Sequence, residues 1–265
     1  MDSILSFLRG SHPASFLFIF SVCVILLVII LVPAIPQDLE FHNFSDQRTL
    51  LNIPHFWNVV TNVPFVLIGL IGLYQIPKNA FSGILEDLII PYKIFFLGLI
   101  LVGLGSGYYH LDPTNNSLVW DRMAITISFM SFFTISIGES VSIRVASKIF
   151  LPLVIIGILS VIYWHHTETL EEGDLRIYAM VQFLPIVLIP IMLMIYGSVL
   201  SGRSWILSII LCYGIAKAAE MYDGRIYEMT GFSGHSLKHL IAAVGAYVFL
   251  LSFKFRKPLN GKESE

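Results

Sequence analysis

The chain has 265 residues, of which 56% are hydrophobic and 13% charged, and its formal net charge is −2. Soluble domains carry roughly twice that charged fraction, so a water-soluble globule is excluded and the bilayer must be the solvent. The near-neutral balance says nothing about a polyanionic partner, but the sequence has no basic patch of the kind nucleic acid needs.

In chain order, the first apolar run covers about Ala14 to Ile35, behind a short head with a single Arg9. It is close to the roughly 20 residues that span a bilayer and longer than a signal-peptide core, and no small-x-small cleavage site follows. It reads as a retained helix. The polar segment from His42 to Arg48 comes next, either covering the mouth of a site or forming a plain interfacial loop. Seven further apolar runs follow, at about 57–76, 89–109, 119–138, 147–164, 177–199, 204–222 and 236–253. The run at 147–164 is short for a span and that at 204–222 carries charge. These are runs rather than alternations, so they are helices, whose backbone is satisfied within each segment. Cys23 and Cys212 lie inside such runs and read as packing residues rather than as a disulfide.

The pattern predicts an all-α polytopic transmembrane bundle of eight spans. Residues 1–44 supply an extra N-terminal helix and loop, 45–254 a seven-helix core, and 255–265 a basic, polar cytoplasmic tail. With a cytoplasmic N-terminus, the inner side receives Arg9, Lys78, Lys93, Arg144, Lys148, Arg203, Lys254, Arg256, Lys257 and Lys262, ten of the sixteen cations. That excess favours both termini inside. The lack of a targeting segment and the compact form suggest a bacterial inner membrane.

This topology brings three polar groups of residues to one depth near the outer face. Ser106 and His110 end the third helix and, four residues apart, share one face. Asp121, in Trp120-Asp121-Arg122, opens the fourth helix. His235 and His239 open the eighth, again four residues apart. A lone His-x-x-x-His pair often arises by chance, but ionisable residues at membrane depth are costly and mark function. Three histidines can hold a zinc ion and leave its fourth position open to water, as catalytic rather than structural sites do. Zinc would bring the pKa of that water from about 15.7 to about 7. Asp121 is then the candidate general base and Ser106 a donor to a developing oxyanion.

Other charged groups have blander readings. Lys217, Glu220 and Asp223 suit an intramembrane ion pair that locks the bundle. Glu171, Glu172, Asp174 and Arg176 read as a solvated acidic loop, and Glu139 as paired with a nearby cation such as Arg144. Trp57, Trp120 and Trp164 read as interfacial anchors, and His165 and His166 as interfacial residues.

Gly105-Ser106 with His110, the aspartate eleven residues on, and His235 with His239 resemble the alkaline ceramidase family, within a superfamily of membrane hydrolases that includes adiponectin receptors. Phe56-Trp57-Asn58 followed by Thr61-Asn62 and Pro64-Phe65 matches it too, and the resemblance runs from about residue 45 to 253. It implies zinc on His110, His235 and His239, water activated by Asp121, and assistance at the carbonyl by Ser106. The implied reaction is hydrolysis of the amide of a ceramide-like or other N-acyl lipid. The run at 14–35 is extra to that family. His55 stands where eukaryotic members place a glutamate, and 46–48 carries few carboxylates, which speaks against calcium there. Two competing functions are a non-catalytic zinc-binding receptor or carrier, and an intramembrane serine hydrolase using Ser106.

Overall fold

The computed structural model describes residues 13–76 and 82–259; Arg9, Lys78 and Lys262 of the charge reading lie outside them. Among the described residues, eight helical segments are long and apolar enough to cross a membrane, and the chain is an all-α polytopic bundle. We number the helices α1 (Pro13–Leu31), α2 (Phe56–Val60), α3 (Val63–Gln75), α4 (Ile89–Leu111), α5 (Asn115–Ser140), α6 (Ile143–Thr169), α7 (Arg176–Ile195), α8 (Arg203–Met221), α9 (Asp223–Thr230) and α10 (Gly234–Phe255). Together α2 and α3 form the second span, Phe56–Gln75.

The break between α2 and α3 falls at Thr61-Asn62, ahead of Pro64 near the start of α3. Freed carbonyls at membrane depth need donors. The Asn58 carbonyl, which Asn62 N leaves for Val59 O, accepts from Asn62 Nδ2 at 2.7 Å, and Thr61 Oγ1 adds a second donor, at 2.6 Å, to the Trp57 carbonyl that already takes Thr61 N. The predicted short fifth span is in fact a 27-residue helix, α6, because Ser142 caps its start by accepting from Val145 N and its polar end to Thr169 stays helical. The short α9 had no hydropathic signal of its own.

Helix α1 ends at Leu31, four residues before the expected limit, because Pro33 and Pro36 cannot continue it. It stands at the edge of the bundle with Phe18, Ile19, Leu26, Leu27 and Ile30 exposed to lipid. Its C-terminal end is tied down. Arg176 Nη1 donates to the carbonyls of Ile29 and Val32, at 2.9 and 2.7 Å, and Leu175 N donates to Ile35 O at 2.8 Å. Asp174 holds that arginine through both carboxylate oxygens, with Tyr163 Oη donating to it as well. The pair is therefore a fastening for the extra helix, not the solvated face expected. These hydrogen bonds, those from Arg176 first, hold the Asp174 carboxyl below its ordinary range.

The core at the end opposite the histidines is aromatic. Phe249 of α10 lies 5.0 Å from Phe95, 5.1 Å from Phe132 and 4.8 Å from Phe253 between ring centroids. The chain closes below it on a buried ion pair. Arg256 donates to both oxygens of Glu139, at 2.9 and 2.5 Å, and to the Ser201 carbonyl at 2.9 Å. Both side chains are at most 1% exposed. Glu139 thus pairs with Arg256, not Arg144, and the first residues past α10 are hydrogen-bonded to 199–201.

Candidate metal centre

Glycines bring the site-bearing helices together. A Cβ on Gly105 would lie 2.7 Å from the Trp120 carbonyl, so α4 and α5 meet backbone to backbone where Ser106 faces Asp121. A Cβ on Gly234 would lie 2.2 Å from the Ala219 carbonyl, which seats the start of α10 against the end of α8. Three caps then fix the first turn of α10. Ser233 Oγ accepts from Ser236 N at 3.0 Å, Asp223 Oδ1 accepts from His235 N at 2.8 Å, and Asn58 Oδ1 accepts from the hydroxyls of Ser233 and Ser236. A carboxylate and side-chain oxygens at this end suit the orphan N–H groups and the positive pole of the helix. Asp223 is thereby a cap, outside the ion pair in which sequence reasoning put it.

The outcome is a cluster of three imidazoles. His110, His235 and His239 are each at most 4% exposed, and one nitrogen from each lies within 4.8 Å of the other two. Ring centroids are 4.9–5.0 Å apart for all three pairs. The Nε2 atoms of His110 and His239 face each other at 3.3 Å. Such a set of buried nitrogens can hold a metal ion, and its chemistry suits a transition metal better than calcium or magnesium.

Neighbouring side chains fix ring orientation. Thr61 Oγ1 sits 2.9 Å from His239 Nδ1. Its own proton is committed to the Trp57 carbonyl, so it accepts from Nδ1–H and leaves Nε2 bare. Metal-bound histidines are oriented by partners of this kind. His110 Nδ1 is buried without a hydrogen-bond partner among the described residues. Asp121 and Ser106 face each other beside the cluster with their side chains close enough to interact. Lys238, one turn from His235, reaches its Nε2 at 3.1 Å and the Glu220 carboxylate at 2.7 Å, and Glu220 also pairs with Lys217. The expected Lys217–Glu220 pair is therefore one part of a network that touches the site. Lys238 had only its spacing from His235 to announce it.

The segment from Asp38 to Arg48 covers the cluster. Phe44, 3% exposed, places its ring 4.7 Å from His110 and 4.6 Å from His235. His42 joins Tyr109 Oη to Asn115 Oδ1 at 2.8 and 2.9 Å. Asp46 is buried; that burial opposes ionisation, but hydrogen bonds from Arg48 outweigh it and hold the carboxyl below its usual range. Arg48 in turn donates to Gly231 O, fastening the strap to the loop before α10. Of the two sequence readings, cover and plain loop, the structure has the cover.

A cavity of about 460 Å³ runs from this centre into the bundle. Ser106, Asp121, Lys238 and His239 line its polar end, and Phe65, Leu99, Phe129, Phe132 and Ile209 its apolar depth. Trp164, expected as an interfacial anchor, is fully buried beneath Arg122 instead, because the arginine takes its ring face at 4.0 Å. Trp120, at 58% exposure, keeps the anchoring position.

The fold and site define a multi-span helical membrane protein with a buried three-histidine cluster at the polar end of a largely apolar cavity. The ceramidase family model matches residues 48–199, more than half of the chain, and the protein belongs to that family. Membership implies a membrane hydrolase acting on amide bonds. The match includes Ser106, His110 and Asp121 and ends before His235 and His239, which the fold adds. No curated protein and no solved structure matches the chain.

Proposed function

We propose that the protein is a zinc-dependent lipid amidase that hydrolyses the amide of a ceramide-like or other N-acyl lipid inside the membrane. The observation that carries this reading is the meeting of His110, His235 and His239 at the polar end of an apolar cavity. Two nitrogens each about 2.0–2.1 Å from a tetrahedral zinc stand roughly 3.3–3.4 Å apart, and the facing Nε2 atoms are at 3.3 Å. Three ligands would leave one position free, as catalytic zinc sites do.

Zinc, when bound, supplies an acidified water and a polarised carbonyl. The rest falls to the chain. Asp121 takes the proton from the water as it adds to the amide carbon, while Ser106 donates a hydrogen bond to the carbonyl oxygen as charge grows there. The C–N bond then breaks, and the leaving nitrogen takes its proton from Asp121. A carboxylic acid and a free amine result, and the acid then gives its proton to solvent. The cavity, within the roughly 300–1,000 Å³ usual for small-molecule sites, houses the acyl chain, and the Phe44 strap keeps bulk water from the centre. The cation excess supports cytoplasmic termini and an outward-facing metal end.

Metal analysis of the purified protein, run beside a fatty-acid release assay over a panel of N-acyl lipids, tests the reading. One zinc per chain and chelator-sensitive release are expected. A His235→Ala protein that keeps its zinc would overturn the ligand set, and chelator-resistant release would overturn the mechanism.

A further inference from the structure

Arg122 is 6% exposed and lines the cavity one residue from Asp121. Its guanidinium lies over the rings of Trp164 and Tyr178, at 4.0 and 4.8 Å, which fixes its plane. Nη2 donates to Gln37 Oε1 at 2.5 Å, and Nη1 has no acceptor among the described residues. A buried guanidinium is always charged, and a buried charge is retained only where something compensates it. The other cavity cations, Lys217 and Lys238, share Glu220. Asp38 spends its carboxylate on Glu40 N, and Glu168 Oε1 accepts from Gln37 N and Trp164 Nε1. Asp121 and Glu168 act on Arg122 only from beyond ion-pair distance. Aromatic faces offset part of the cost, yet the buried Nη1 of this cavity-lining side chain is left without an acceptor among the described residues.

We infer that Arg122, positioned by Gln37, is an anion-binding subsite, and that the cavity takes an N-acyl lipid bearing a carboxylate or phosphate near its amide in preference to a neutral ceramide. The substrate class rests on the amidase reading; the anion subsite does not. A guanidinium with an unpartnered Nη1 makes a charge-assisted hydrogen bond to such a group, and an anionic acceptor also supplies the counter-charge that a neutral hydroxyl lacks. The extra helix of this chain is what builds the subsite, since Gln37 sits on the linker that α1 leads into and that Arg176 fastens.

A fluorescent polyene fatty acid and its methyl ester, titrated into the purified full-length protein in neutral detergent, test the subsite without turnover. The ionised acid should bind at least about tenfold tighter than the ester. Arg122→Met should bring that ratio near one. Gln37→Glu, which keeps the arginine and places a carboxylate on its guanidinium, should do the same if the arginine variant fails to fold. A ratio near one in the unaltered protein overturns the proposal, as does a ratio that survives both variants, for the anion then lies on the metal or on Lys238. In the turnover arm, kcat/KM for N-oleoylglycine should exceed that for N-oleoylethanolamine. Loss of all amide hydrolysis with the acid preference intact would remove the amidase reading alone, whereas hydrolysis without that preference would remove this one alone.

Discussion

Replacing Thr61 with valine tests whether the geometry around the histidines is that of a metal site. Valine keeps the volume and branching of threonine and deletes one hydroxyl. That hydroxyl accepts from His239 Nδ1–H at 2.9 Å while donating to the Trp57 carbonyl at 2.6 Å. Without it the imidazole has a buried donor whose nearest other polar neighbour is an amide nitrogen, Asn62 Nδ2 at 3.4 Å, which cannot accept. An unsatisfied buried donor costs about 1–3 kcal/mol, and partners of metal-bound histidines change affinity by about 10–100-fold, or roughly 1.4–2.7 kcal/mol. The two ranges agree. Competition with a chromophoric zinc chelator should therefore show a 10–100-fold weaker zinc affinity for Thr61→Val and an affinity near the original for Thr61→Ser. Unchanged affinity in the valine protein, with unfolding behaviour also unchanged, would refute the idea that Thr61 sets the tautomer of a ligand.

Asp121→Asn should keep its zinc and lose at least about 100-fold in turnover; full turnover would remove Asp121 as the base, and lost zinc would make it a structural partner. Glu139→Gln leaves Arg256 buried without a counter-charge, so the thermal midpoint in detergent should fall as for a loss of about 3–5 kcal/mol, with a smaller fall for the double variant Glu139→Met, Arg256→Met; equal stability of the single variant would contradict the lock. The strap should open in acid. Asp46 ionises below its unfolded value of about 3.9, so its hold on Arg48 is complete above that pH and fades as pH drops through the lowered value. Protease cleavage between 38 and 48 should rise below that window in the natural protein, and near neutrality in Asp46→Asn; a flat profile would mean that Asp46 does not hold the strap.

Hydropathy made the spans legible because each must satisfy its backbone within the membrane, which leaves a long apolar run as the trace. It also placed Ser106, His110, Asp121, His235 and His239 at one depth, since alternation of short-looped spans fixes which helix ends are neighbours. What it could not supply was lateral detail. Arg256 read as a tail cation because its position after the last apolar run says nothing of the pocket formed by Glu139, Ser198 and Ser201, which come from two distant stretches of chain. Trp164 read as an anchor because a tryptophan at a helix end is usually one, and the arginine that buries it lies on another helix. Arg122 is the instructive case. In sequence it is one cation on the cation-poor side, no different from Arg225. Only the fold reveals that it is buried, sits among aromatic rings, and lies on the cavity wall beside Asp121. Positions that a membrane span makes expensive are thus visible as composition, while the compensation for that expense is written across helices. The sequence anomalies worth following into a structure are therefore the charged residues one step from a candidate site, for which no local partner exists.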